Sequence, residues 1–190
     1  MHVTMTPEEW SLFTGFVCCS KRYVEFGSGA STVLAATLVL EDVITFDSSQ
    51  DWLDRVAASC RARRTRLSPR LTCVDIGATK EWGFPEDETA RVRWPDYHSS
   101  MWADPSVAQG DLYLVDGRFR LACFAQVMLH AGDKAFVAFH DYASRAHYGA
   151  AALLGREIVR VNDLSIFLRR PDFDPHLARK LLETYAYDPR

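Results

Sequence analysis

Val24-Glu25-Phe26-Gly27-Ser28-Gly29-Ala30-Ser31 is the stretch from which the architecture of this chain is read. Tyr23 to Phe26 forms a short strand. Gly27-Ser28-Gly29 breaks it, and Ala30 to Leu40 follows as a helix rich in small and apolar residues. Glycines permit positive φ and let a ligand approach the backbone. The free N–H groups of a helix start lie at the same place. In an open parallel sheet, ligands bind beyond the carboxyl ends of the strands. A tight turn that binds nothing is the alternative, because short Gly-x-Gly matches are frequent.

Strand and helix signals alternate on both sides of this run. Upstream, Thr6-Pro7-Glu8-Glu9 starts a helix that runs to about Ser20: a capping hydroxyl, a proline, then acids at the positive end of the dipole. Downstream, Val43 to Phe46 is a strand ending in Asp47, and a helix runs from about Ser49 to Arg64 with Trp52, Leu53, Val56 and Ala57 at helical period. Leu71 to Ile76 is a third strand. Asp111 to Val115 is a fourth, ending at Asp116-Gly117, with a helix over Arg120 to His130. Lys134 to Phe139 is a fifth, ending at His140-Asp141, with a helix over about Ser144 to Leu154. Glu157–Val161 and Leu164–Arg169 are strands joined by Asn162-Asp163, a hairpin signal, and Asp174-Pro175 opens a last helix. Crossover helices make the first five strands parallel with right-handed connections, and the hairpin forces one antiparallel strand. The expectation is an α/β, Rossmann-like, mostly parallel seven-stranded sheet with an antiparallel C-terminal hairpin and helices on both faces. Residues 1–190 form one domain, with an N-terminal helix in 1–20. Residues 77–109 break the pattern, with Gly77, Gly83, Pro85, Pro95, Pro105 and three tryptophans. They are expected as a long aromatic loop or lid.

Composition limits what the chain can be. Its 190 residues are 48% hydrophobic and 25% charged, enough to bury roughly 70% of the unfolded surface without a disulfide or metal. They leave no room for a second domain of dehydrogenase type. The net charge of −3 makes nucleic acid an unfavoured partner. No eighteen-residue apolar run and no basic-then-apolar leader is present, so neither a membrane span nor a signal peptide is expected. Five cysteines without a CxxC pair fit reduced thiols in a cytoplasmic protein. The arginines at 55, 61, 63, 64, 66 and 70 read as a solvated helix face, with phosphate or RNA binding the alternative.

Two constellations carry chemistry. Asp47 lies twenty residues after Gly27, where a carboxylate can accept from both hydroxyls of a ribose, or else cap the next helix. The dinucleotide fingerprint wants a third glycine where Thr32 stands, and Glu25 suits a cationic ligand better than a diphosphate. Asp116, His140 and Asp141 end adjacent predicted strands and should share a crevice. They can hold a divalent ion that acidifies a hydroxyl, or His140 can act as a general base. The ion is not favoured, because no full ligand set is visible. Helix caps and a buried hydrogen bond are the bland reading. Arg118 can meet an anionic substrate or a cofactor carboxylate, or pair with an acid such as Asp141.

Val24 to Gly29 resembles the first motif of the class I S-adenosylmethionine-dependent methyltransferases, an acid followed by Gly-x-Gly-x-Gly, with Ser31 in place of the last glycine. Asp47, Asp75-Ile76-Gly77, Asp111 to Asp116 and the final hairpin continue the resemblance in order, over about 21–170. Asp116-Gly117 and His140-Asp141-Tyr142 are similar to a small single-domain subgroup. The resemblance implies S-adenosylmethionine as cofactor. It implies cofactor contacts from Glu25, Phe26, Gly27, Ser28, Gly29, Asp47, Ser48, Ile76 and Asp116, with Ile76 near the adenine and Trp82 over it. It implies catalytic roles for Asp116, His140 and Asp141, and a small-molecule or sugar-like acceptor oxygen. An NAD(P)-binding enzyme and a non-catalytic binding or scaffold protein are the alternatives. Trp82, Phe84, Trp94, Tyr97 and Trp102 line a substrate site, or else anchor the loop or a homodimer contact.

Overall fold

Strands covered on both faces read as short, near-continuous apolar runs, as β-segments such as Leu112–Val115 do here, and seven segments pair into one sheet. In a computed structural model that describes residues 1–190, these are β1 (Arg22–Phe26), β2 (Asp42–Asp47), β3 (Arg70–Cys73), β4 (Leu112–Val115), β5 (Phe136–Phe139), β6 (Gly155–Val161) and β7 (Leu164–Arg169). Their order is β3-β2-β1-β4-β5-β7-β6. The first five are parallel, and β7 runs antiparallel to both β5 and β6. The expected mostly parallel sheet with its closing hairpin is thus observed.

The helices are α1 (Pro7–Cys18), α2 (Ala30–Leu38), α3 (Gln50–Arg63), α4 (Asp96–Ser99), α5 (Arg120–His130) and α6 (Pro175–Tyr185). Within β4, Leu112 and Leu114 join Phe13 and Val17 of α1 and Ala35 of α2 in one core. Tyr113 and Val115 join Phe124 of α5 and Leu181 of α6 in the other. Phe13, Val17 and Phe124 are fully buried, each worth about 1.5–3 kcal/mol of apolar transfer. α1 starts with a closed capping box. The Thr6 N–H donates to Glu9 Oε2 at 2.7 Å, and the Glu9 N–H donates to Thr6 Oγ1 at 3.3 Å.

α2, β5 and β6 each differ from expectation by two residues at one end, and three segments depart further. β3 ends at Cys73 rather than Ile76: the Val74 N–H makes a last bond to the Asp47 carbonyl at 2.8 Å before the chain turns away. The helix expected over 144–154 is a 3₁₀ helix, Ala146–Leu153. Residues 77–109 are not a plain loop. They hold α4 and four 3₁₀ turns, and bury Trp94, Tyr97, Met101 and Val107 in the α5 core. No helix is long and apolar enough to cross a membrane, and all five cysteines are free.

The chain leaves β1 in one direction for β2 and β3, and returns on the other side of β1 to form β4. The carboxyl ends of β1 and β4 therefore flank the switch point where such sheets bind ligands. The Asp111 carboxylate fastens the opposite ends of these strands, accepting the Lys21 and Arg22 N–H groups at 2.9 Å.

Candidate active site at the β1–β4 switch point

Backbone meets backbone at this point. Gly27 has φ +92°, and a Cβ there would stand 2.5 Å from the Gly117 Cα. A Cβ on Gly117 would stand 2.1 Å from the Tyr97 hydroxyl. Only glycines let the β1–α2 and β4–α5 turns approach this closely. Tyr97, from α4, accepts the Arg118 N–H at 3.4 Å and stacks near Phe119 with centroids 5.5 Å apart.

Glu25 sits beneath the glycine turn with no exposed surface. Its Oε2 accepts the hydroxyls of Tyr23 at 2.7 Å and Ser31 at 2.8 Å. Its Oε1 accepts the hydroxyls of Thr45 at 2.9 Å and Thr32. Burial drives the carboxyl up to about 7, although the four hydroxyl donors pull the other way. Ser31 and Thr32 occupy the positions where two glycine motifs expect glycine. Their hydroxyls serve the acid instead.

Asp47 ends β2 and holds the glycine turn from the side. Its Oδ2 accepts the Ser28 N–H and hydroxyl, both at 2.8 Å, and its Oδ1 accepts the Ser49 N–H at 3.1 Å. The Trp52 indole donates to the Ser28 carbonyl at 2.7 Å, and the Gly29 N–H donates to Thr32 Oγ1 at 3.0 Å. A carboxylate offers about four acceptor positions, so one stays open on Asp47. Ser48 Oγ lies 3.1 Å from where a Gly83 Cβ would stand. Phe26 and Ile76 are core residues, 0% and 1% exposed, while Trp82 is 76% exposed with φ +63°.

Asp116, His140 and Asp141 do converge, with ligand atoms within 4.8 Å of one another. His140 Nδ1 lies 2.9 Å from Asp116 Oδ1 and 3.7 Å from Asp141 Oδ1. Its Nε2 lies 3.7 Å from Glu9 Oε2. Burial pulls the imidazole down, but the Asp116 hydrogen bond and the charges of Asp116 and Asp141 outweigh it and leave its pKa raised. Burial pushes the Asp116 carboxyl up, and the His140 bond and the Arg120 charge bring it below the usual range. Asp141 adopts φ +60°, a strained setting of the kind found at functional sites.

Arg120 sits among these acids. Its guanidinium is 3.2 Å from Asp116 Oδ1 and 3.0 Å from Asp141 Oδ2, and also donates to the carbonyls of Asp116, Gly117 and His140. It supplies positive charge beside Asp116 and Asp141. Arg120 and Glu9 were not singled out as site residues from sequence: the Thr6-x-x-Glu9 spacing marks Glu9 as a cap, and Arg120 reads as the start of a helix. Tyr97, read from sequence among the aromatics of the 77–109 segment, sets its hydroxyl against the Gly117 turn.

The other segment residues divide. Trp94 and Tyr97 are buried anchors, and Trp102 stacks on His130 at 4.8 Å. Phe84 stacks on the Arg118 guanidinium at 4.0 Å, closing the segment over the crevice. Two surface cavities lie elsewhere. One of about 340 Å³ is bounded by Ala108–Asp111 and Gly132–Ala135, at the amino edge, and one of about 270 Å³ by Ala57, Cys60, Arg61 and Arg64 beside α3. Geometry and chemistry favour the switch point, where the glycines and the titratable groups converge.

No family model matches the chain, and no curated protein does. Among solved structures, a methyltransferase-like protein from Silicibacter pomeroyi superposes with a TM-score of 0.89 at 26% identity, over 99% of this chain and 98% of that one. This chain has the class I S-adenosylmethionine-dependent methyltransferase fold. More distant likenesses agree. The O-methyltransferase TomG from Streptomyces achromogenes, involved in tomaymycin synthesis and solved with S-adenosylmethionine, gives a TM-score of 0.59 at 13% identity, over 88% and 81% of the chains. An O-methyltransferase from Bacillus cereus, in complex with S-adenosylhomocysteine, gives 0.56 at 12%, over 98% and 72%. The methyltransferase fold thus has its switch point at Gly27 and Gly117 in this chain.

Proposed function

We propose that the protein is an S-adenosylmethionine-dependent methyltransferase acting on an oxygen of a small-molecule or sugar-like acceptor. The carrying observation is the Gly27–Gly117 approach at the switch point, flanked by Asp47 with an open acceptor position. The residues fit the cofactor. Gly27 and Gly29 pass beneath its methionine part, with Glu25 fixing the turn from below. Phe26 and Ser28 shape that turn. Asp47 and Ser48 hold the ribose, and release of the Ser28 hydroxyl frees a second position on Asp47 for its other hydroxyl. Ile76 forms the floor on the adenine side.

When bound, the cofactor supplies an electrophilic methyl group on a sulfonium. The protein then has to place an oxygen in line and exclude water. Asp116 orients the His140 ring through Nδ1, and His140 takes the acceptor proton once it is itself unprotonated. Its raised pKa moves that condition to higher pH than for an unperturbed histidine. Asp141 pairs with Arg120 and Arg145 beside the ring.

Calorimetry with S-adenosylhomocysteine and with NAD tests this reading. Saturable binding of the first and none of the second is expected. A protein that binds NAD and not S-adenosylhomocysteine refutes it. One observation favours a second reading, a cofactor-binding protein without transfer activity: His140, Asp116 and Arg120 satisfy one another internally. S-adenosylhomocysteine binding with no turnover of S-adenosylmethionine across a panel of hydroxylated acceptors is its signature.

A further inference from the structure

Two arginines stand two residues apart in the β4–α5 turn, with opposite fates. Arg120 is 3% exposed and all its nitrogens have partners. Arg118 is 5% exposed, and its Nε and Nη1 are buried with no hydrogen-bond partner. Its stacking on Phe84 offsets part of the cost of burial. An aromatic ring, however, accepts no pair of in-plane N–H bonds, and a buried guanidinium without acceptors is strongly disfavoured. The neighbourhood makes this worse. Arg120 and Arg145 repel the group, and burial and the Arg120 charge pull its pKa down.

Its position limits what the missing partner can be. The Gly83 Cβ position lies 3.9 Å from Arg118 Cγ and 3.1 Å from Ser48 Oγ, so the side chain lies between the carboxyl ends of β4 and β2. Phe84 and Gly83 both belong to the covering segment, and Arg118 follows directly on Asp116-Gly117.

We propose that Arg118 is the anchor for a carboxylate or phosphate group on the methyl acceptor. This rests on the methyltransferase reading. The planar fork of a guanidinium matches both anions in bidentate fashion. An acidic acceptor seated there places its other end towards Asp116 and His140 beneath the Phe84 cover. The carboxylate of the cofactor is the other source of the same chemistry, and the experiment separates the two.

The protein is first saturated with S-adenosylhomocysteine, then titrated by calorimetry with benzoate and with inorganic phosphate. Saturable binding of at least one probe is expected. Arg118→Gln should weaken it about tenfold or more, Arg118→Lys should restore phosphate better than benzoate, and Arg61→Gln should leave it unchanged. Arg118→Gln removes an uncompensated charge, so its thermal midpoint should not fall. The probe should raise the midpoint of the wild type alone. Equal binding by wild type and Arg118→Gln, or none by either, overturns the proposal. So does a second pattern, in which Arg118→Gln loses S-adenosylhomocysteine but binds 5′-methylthioadenosine, which lacks the carboxylate, as the wild type does. That pattern assigns Arg118 to the cofactor. Failure of the wild type to bind S-adenosylhomocysteine is read in the first titration, and overturns the methyltransferase reading instead.

Discussion

Glu25→Gln replaces a fully buried carboxyl by a neutral group of the same shape, inside a cage of four hydroxyls. In the folded protein this carboxyl titrates at about 7, against 4.5 for an unperturbed glutamate. A raised pKa means that folding favours the protonated form. The stability tied to this group is complete below about 4.5 and falls as pH rises through about 7. At about 1.36 kcal/mol per unit, the loss is ~3 kcal/mol. For a chain of this length that corresponds to roughly 6–12 °C in thermal midpoint. The hydroxyls can rotate to accept from the amide of glutamine, so the variant keeps its hydrogen bonds and loses the titration. Urea unfolding of both proteins at pH 5 and pH 8 measures the effect. His140 titrates in the same direction, but its contribution cancels in the difference between variant and wild type. Part of this loss has already occurred at pH 5, so the variant should gain about 2–3 kcal/mol relative to wild type between the two pH values. A difference that does not change with pH would refute the reasoning. Glu25→Ala is the contrasting case: it leaves four hydroxyls without their acceptor and should destabilise at both pH values.

Gly27→Ala places a methyl group 2.5 Å from the Gly117 Cα at φ +92°, and should cost about 1–3 kcal/mol in denaturant unfolding and abolish S-adenosylhomocysteine binding. Binding that persists at wild-type strength would remove the glycine contact from the site. Asp47→Ala should weaken that ligand about tenfold to a hundredfold in calorimetry, since it loses one or two charged hydrogen bonds of about 1.5–3 kcal/mol. Unchanged affinity would end the ribose role. Titration with Mg²⁺ or Mn²⁺ should show no saturable binding at millimolar concentration, because Arg120 already compensates Asp116 and Asp141. Tight binding of either ion would show that the guanidinium yields its place.

The sheet was legible in the sequence because its strands are short apolar runs between breakers. Asp47, Asp116 and His140 were legible because each ends such a run. What escaped was non-local. Residues 77–109 contain helical turns too short to show a period, held by aromatic contacts such as Trp94 and Tyr97 with Phe119. The role of Arg120 depends on where β5 brings Asp141. The Glu25 cage was half visible: Ser31 and Thr32 stood out as missing glycines, but Thr45 enters only through the parallel register that sets it beside Glu25. Its chemistry is that of a sheet, not of a motif.

The first helix is joined to the last hairpin. Glu9 completes the α1 capping box with one oxygen and accepts the Asp163 N–H at 2.7 Å with the other, across 154 positions of sequence. The same side chain faces His140. On the ribosome, at roughly 5–20 residues per second, Glu9 waits about 8–30 s before its last partner exists. Until then one of the two Glu9 oxygens lacks its donor, and the corner around His140 lacks one wall. Vectorial synthesis therefore makes this corner among the last parts of the molecule to mature, after the glycine turn and β2 have formed.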